Sequence, residues 1–433
     1  MKISKHIIKG ILTISSLLLI IFGLSACSSK SQNSSSNNKR IVINYWDALL
    51  GPYKKPAQQM VTDFNNSQSK YKVVMNNQGN YADLEQKIMA AAKSNQLPVI
   101  AQAPYTTVPN YVKNGLLEPL NTYMLHSDRR LTSKDLNDIY PIFLQNAKYR
   151  DNYYSIPFCE SLSVLYYNKD LMQKYGIKQP TSWEDLQHDK NKITDRDVKL
   201  IVFDQSFDKM YESLAKAAGT LIVDPQSLTV KITSQPSMDA MNYIMSLIKN
   251  GSGETSGANP YGNKIFAAQK AVFYADTCSD IMYVKQQAPA NMNWGTMVLP
   301  PFHNKQATMI EGSNLVMFKH ATPQQKAGAW AFMKFVLSKK ESTKWAEETG
   351  YMPLRKSAVN SASYQQFLHH DPVHQAEVDS LPYAFNTTVF PGYAQFHIDE
   401  VTAIQNMVDN RQSVNDAMNQ FQKEAETIIK QNR

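Results

Sequence analysis

From Ile41 onward, short β-branched apolar runs alternate with amphipathic segments of ten residues or more, and this alternation restricts the chain to a small set of folds. Ile41-Val42-Ile43-Asn44-Tyr45, the run from Tyr71 to Met75, and Val99-Ile100-Ala101 read as buried strands. Residues 54–65 and 83–94 between them read as helices. In the second, Leu84, Ile88 and Ala91/Ala92 fall on one face at i, i+4 and i+7/i+8. Strands separated by whole helices pair in parallel through crossovers. The pattern resumes with strands at Val164–Tyr167 and Leu200–Phe203. Helices follow over 169–174 and from Thr181, where hydroxyl caps precede acids in the first turn. Beyond Thr322 the spacing predicts helices over 322–337, 340–348, 400–410 and 413–430. The expected fold is α/β with two lobes, the chain crossing between them more than once and the C-terminal helices packed on one lobe. Ligands of such sheets sit beyond the carboxyl ends of the strands, so two facing lobes make a cleft.

A chain of 433 residues exceeds what one hydrophobic core holds, roughly 250–300 residues. The formal charge of +8 comes from scattered basic residues without a run of five or six, which argues against nucleic acid as a partner. The N-terminus reads as an address. Lys2, Lys5 and Lys9 precede an apolar run through Phe22 that is short for a membrane span, and Leu24-Ser25-Ala26-Cys27 closes it. These four residues resemble the lipobox of bacterial lipoproteins. That resemblance implies a signal peptide over 1–26 and a diacylglycerol on Cys27, which would then be the mature N-terminus. Residues 27–40, rich in Ser, Asn, Gln and Lys, read as a flexible tether. Of the three cysteines, Cys159 and Cys278 have neither CxxC nor zinc-ligand spacing and are expected to be free, partly buried thiols.

Catalytic signatures are missing. The sequence has no Walker loop, no HExxH and no GxSxG elbow. Gly251 to Gly257 is glycine-rich, but it follows a predicted helix over 238–249 instead of a strand, so it reads as a helix stop and loop. His369-His370-Asp371 with His374 reads as a solvated helix end near Pro372. No metal or cofactor is implied. Paired carboxylates of a glycosidase are set in space and cannot be read from sequence. A surface hydrolase acting on glycosides or phosphoesters is therefore the alternative reading, with a rigid surface adhesin behind it.

Five segments in order carry a family resemblance: Gln78-Gly79-Asn80-Tyr81; Pro157-Phe158 with Val164 to Asp170; Thr181 to Leu186; Gly312-Ser313-Asn314-Leu315; and Thr349-Gly350-Tyr351-Met352-Pro353. The chain from about residue 41 onward resembles the type 1 extracellular solute-binding proteins of ABC importers. Within them it resembles the glycerol-3-phosphate branch. The resemblance implies a two-lobed periplasmic-binding-protein-like fold of type II, with a hinge that closes around a polar solute. It implies lobe 1 over 41–158 and 300–345, and lobe 2 over 159–299 and 346–433. The expected protein is a monomeric, lipid-anchored, non-enzymatic lipoprotein on the outer face of a Gram-positive-type cell membrane. It would hand a sugar, polyol or glycerol phosphate to permease subunits. Tyr81, Ser161, Gly312 and Tyr351 match ligand-contacting positions, and Thr277 falls where the branch has serine. Tyr105 replaces a glutamate that binds glycerol hydroxyls. Residues 386–393 lack the arginine expected to grip phosphate, which favours a neutral saccharide over glycerol-3-phosphate. Trp46 and Asp276, at predicted strand ends, complete the candidate ligand set. Glu160 and Glu311, which flank carried-over positions, are comparable candidates.

Overall fold

The computed structural model describes residues 39–432. The leader and Cys27 lie outside the described residues. Strands β1 (Ile41–Asp47), β2 (Tyr71–Asn77) and β3 (Ile100–Pro104) are parallel in the order β2-β1-β3. Their crossover helices span Lys54–Ser67 and Tyr81–Lys93. The second starts at Tyr81 because Asn80 and Asp83 form a capping box, each side chain accepting from the other's backbone N–H. A small hairpin, β4 (Lys148–Tyr149) with β5 (Asn152–Tyr153), precedes the long strand β6 (Ser155–Asn168).

Strand β6 changes partners midway. Ser155 to Leu162 pair antiparallel with β11 (Thr308–Met317), which in turn pairs with β3. From Ser163 to Asn168 the same strand runs antiparallel to β9 (Ala271–Thr277) and β10 (Trp294–Val298). Strand β9 then pairs in parallel with β7 (Lys199–Phe203), and β7 with β8 (Gly253–Thr255). A short β12 (Ala384–Phe385) pairs with the start of β11. One mixed sheet therefore serves two cores, with β6 and β11 shared between them. The first core gathers Ile43, Phe64, Phe158, Trp330 and Trp345. The second gathers Leu165, Trp183, Phe203, Met241, Phe396 and Phe421, the last two from the C-terminal helices Tyr393–Val408 and Val414–Asn432.

Several elements depart from the sequence reading. Tyr351, Met352 and Leu354 pack in the first core, whereas the division by resemblance put residues from 346 onward in the second lobe. The glycine-rich stretch is not all loop, since Gly253–Thr255 extends β7 as an edge strand. The helix after Thr181 begins only at Asp185, whose carboxylate accepts from the Thr181 hydroxyl and from the backbone N–H groups of Thr181 and Ser182. The helix read from Glu400 begins at Tyr393, directly after Pro391-Gly392, where Gly392 takes φ +96. Cys159 and Cys278 are free, as expected, but wholly buried. Among the described residues no helix is long and apolar enough to cross a membrane.

Candidate functional site

Beyond the carboxyl ends of β1, β3, β7 and β9 lies a cavity of about 640 Å³ between the two cores. One wall comes from Ala48–Leu50 after β1, Tyr81, and Tyr105–Thr107 after β3; the other comes from residues 204–209 after β7, and from Asp276–Asp280 at the end of β9. Ser161 of β6 and Met309–Gly312 of β11 lie where the walls meet. The walls touch across the cavity mouth. The Tyr53 hydroxyl donates to the Ser279 carbonyl, and the Tyr53 ring stands edge-on to Tyr283 at 5.6 Å.

Of the expected ligand residues, Tyr81, Tyr105, Ser161, Asp276, Thr277, Gly312 and Tyr351 all line this cavity, as does Glu311. Tyr81 is held by a polar chain: its hydroxyl donates to Ser313 Oγ at 3.0 Å and accepts from Gln102 Nε2 at 3.1 Å. Tyr105 is buried, with its hydroxyl 3.3 Å from the Ile310 carbonyl. Tyr351 stacks on Trp345 with a 12° interplanar angle. Thr277 Oγ1 lies 2.7 Å from Ser279 Oγ. Trp46 and Glu160 do not line the cavity. The Trp46 ring packs with Tyr81 and Met89 against the cluster around Leu84 and Val108. Glu160 alternates with Ser161 on β6, so it faces the opposite side and accepts from Asn146 Nδ2 at 3.1 Å.

Other lining residues escaped the sequence reading. Seven tyrosines line the cavity, adding Tyr53, Tyr261, Tyr283 and Tyr393 to the three expected. The acids are Glu85, Asp204, Asp208, Asp276, Asp280 and Glu311, against Lys209 and His397 as the only basic side chains of the lining and no arginine. The rule that ligands gather at strand carboxyl ends pointed to the residues after Phe203 and could have found Asp204 to Lys209.

The acids are crowded around few partners. Lys209 Nζ lies 2.7 Å from Asp276, 3.1 Å from Asp204 and 3.8 Å from Glu311. The Tyr274 hydroxyl lies within 2.7–2.9 Å of Asp204, Asp276 and Asp280. A phenol has one hydrogen, so two of these three contacts need a proton on a carboxyl. Burial, reinforced by repulsion from Asp276, lifts Asp204 to about 7 and pushes Asp280 well above the usual carboxylate range. Burial lifts Glu311 to about 7 as well.

At the cavity edge, Asp208 Oδ2 meets His397 Nε2 at 3.2 Å. Burial opposes ionisation of Asp208, yet the imidazole's hydrogen bond and charge hold its carboxyl below the ordinary range. Ligand atoms of Asp208, His397 and Glu400 all lie within 4.8 Å of one another. The histidine group near Pro372 is not wholly the solvated helix end expected: His374 is buried, and the Lys285 ammonium contacts both it and Asp371.

Two α/β cores on shared crossing strands, with a tyrosine-walled cavity between them that carries six acids, define a protein that holds a small solute between two lobes. The chain belongs to the bacterial extracellular solute-binding protein family, whose sequence model matches residues 59–371, and so works outside the cytoplasm. The sn-glycerol-3-phosphate-binding periplasmic protein of Brucella melitensis is 22% identical over 345 residues, covering 76% of this chain and 78% of that one. UgpB from Mycobacterium tuberculosis, solved in complex with glycerophosphocholine, shares the fold at a TM-score of 0.80 and 18% identity, covering 90% of this chain and 98% of its own. The cyclic alpha-maltosyl-1,6-maltose binding protein from Arthrobacter globiformis gives 0.77 and 20%, covering 90% and 100%.

Proposed function

We propose that this protein captures an uncharged saccharide or polyol between its lobes and hands it to the permease of an ABC importer, without catalysing a reaction. On this reading it acts as a monomer tethered through a lipid on Cys27. The observation that carries the solute class is the cavity lining: seven tyrosines, six acids and no arginine. Sugar rings present C–H faces to aromatic rings and hydroxyls to carboxylates. A free phosphate monoester would meet six acidic side chains without the forked donor that usually grips it, and desolvating it there costs several kcal/mol.

The same lining favours one other class. An excess of acids among tyrosine faces suits a quaternary ammonium head, as in the glycerophosphocholine held by the Mycobacterium tuberculosis relative. Titration calorimetry with a panel of maltose, maltotriose, glycerol-3-phosphate and glycerophosphocholine separates these readings. Saccharide binding with no response to glycerol-3-phosphate is the expected result. Binding of glycerophosphocholine with no saccharide response would transfer the assignment to the diester. Tight binding of glycerol-3-phosphate would overturn the charge argument.

A further inference from the structure

We propose that Asp208, His397 and Glu400 form a binding site for one divalent transition-metal ion at the edge of the solute cavity. His397 and Glu400 stand three residues apart on the helix Tyr393–Val408 and so share a face. Asp208 opens the facing helix, Asp208–Ala218. The three side chains offer an imidazole nitrogen and two carboxylate oxygens within 4.8 Å of one another. Ligands about 2.0–2.2 Å from a zinc ion stand roughly 3–4 Å apart, so shifts of rotamer size close the set. Mixed nitrogen and oxygen donors suit zinc and its first-row neighbours better than magnesium or calcium, which take oxygen alone.

A second observation singles this group out from ordinary acidic clusters. Glu400 is 1% exposed, and neither of its carboxylate oxygens has a hydrogen-bond partner. Protonation would remove the charge but leaves both oxygens without a hydrogen-bond partner in the structure. A bound ion satisfies a carboxylate oxygen and offsets the charge together. The His397 imidazole pairs with Asp208 and not with Glu400, and Lys209, next to Asp208, directs its ammonium to Asp204, Asp276 and Glu311. The nearby Glu212 is also buried but, unlike Glu400, has a protein partner, accepting from the Thr387 hydroxyl at 2.6 Å. Three protein ligands leave positions open, and Asp208 and His397 both line the cavity, so those positions face the solute space.

The test uses the purified protein stripped with a chelator and titrated with Zn²⁺ by calorimetry, with Co²⁺ absorption as a second readout. The expected result is one equivalent bound, with a ligand-field spectrum for cobalt. His397→Ala and Glu400→Gln should each weaken binding by more than the roughly 10–100-fold that losing a mere supporting partner costs. Glu400→Gln keeps the side-chain shape, and half-exposed His397 can be truncated with the fold intact, so at least one variant reports on a folded protein. Absence of binding would overturn the proposal. So would affinity unchanged in both variants, or affinity lost in a His369→Ala/His370→Ala double variant instead.

Discussion

Substituting Gly312 with alanine should destabilise the protein far more than one methyl group would suggest. Gly312 lies in the middle of β11 at φ +132, opposite Glu160 on β6. An added Cβ would stand 1.7 Å from the Cys159 carbonyl oxygen and 2.8 Å from its carbon. Comfortable contact needs roughly 3.5 Å, so the two strands would have to part by about 1.5 Å or more. Two costs add: about 1–3 kcal/mol for a non-glycine residue at this φ, and about 1–3 kcal/mol for overpacking a buried ladder. Gly115→Ala isolates the first, because Gly115 has φ +67 and nothing within 4 Å of its added Cβ. Urea unfolding followed by circular dichroism should therefore show Gly312→Ala losing about 2–6 kcal/mol and Gly115→Ala about 1 kcal/mol. Losses equal within about 0.5 kcal/mol would refute the close-approach argument.

Three further outcomes are expected. Lys209→Met should cost about 3–5 kcal/mol at pH 8, because it strands Asp204, Asp276 and Glu311 without their cation. Asp204 and Glu311 already titrate near 7, so both take up protons as pH falls; the loss should shrink at pH 5, and an equal loss in thermal melts at both values would sink the reasoning. Glu160, lifted to about 8 by burial, holds a proton when folded that the unfolded chain releases above its ordinary value of 4.5. Stability therefore falls as pH rises between those values, by up to about 1.4 kcal/mol per unit, and Glu160→Gln should gain about 2–3 kcal/mol on the native protein between pH 5 and 7. Parallel stability profiles for the two would contradict this. Cys27→Ala should abolish incorporation of labelled fatty acid and leave an unprocessed or secreted form, and fatty-acid labelling that survives the change would remove the anchor.

The parallel half of the fold was legible because it is written locally. β-Branched runs such as Ile41–Tyr45 and periodic helices such as Tyr81–Lys93 carry their own signals. The antiparallel crossing was not, since the pairing of Ser161 with Glu311 joins segments 150 residues apart. The same split runs through the site. Tyr81, Gly312 and Tyr351 lie in short recognisable segments, whereas Tyr53 and Tyr283 become neighbours only when the lobes face each other. Trp46 shows the limit of reasoning from strand ends: it precedes the cavity wall by two residues, and the pleat turns its ring toward Leu84 instead. His397 was overlooked because Pro391-Gly392 reads as a break, when it is the start of the helix that carries it.

The shared strands also set when this protein can fold. The first core needs residues from Ile43 to Leu162 and again from Ile310 to Leu354, so its sheet lacks β11 until roughly 150 further residues have been made. At about 5–20 residues per second, synthesis leaves the N-terminal third waiting for about 7–30 s. The second core waits longer still, for Phe421 and Ile429 near the end of the chain. Neither half closes early, so the polypeptide stays threadable through a narrow translocation pore until nearly all of it exists.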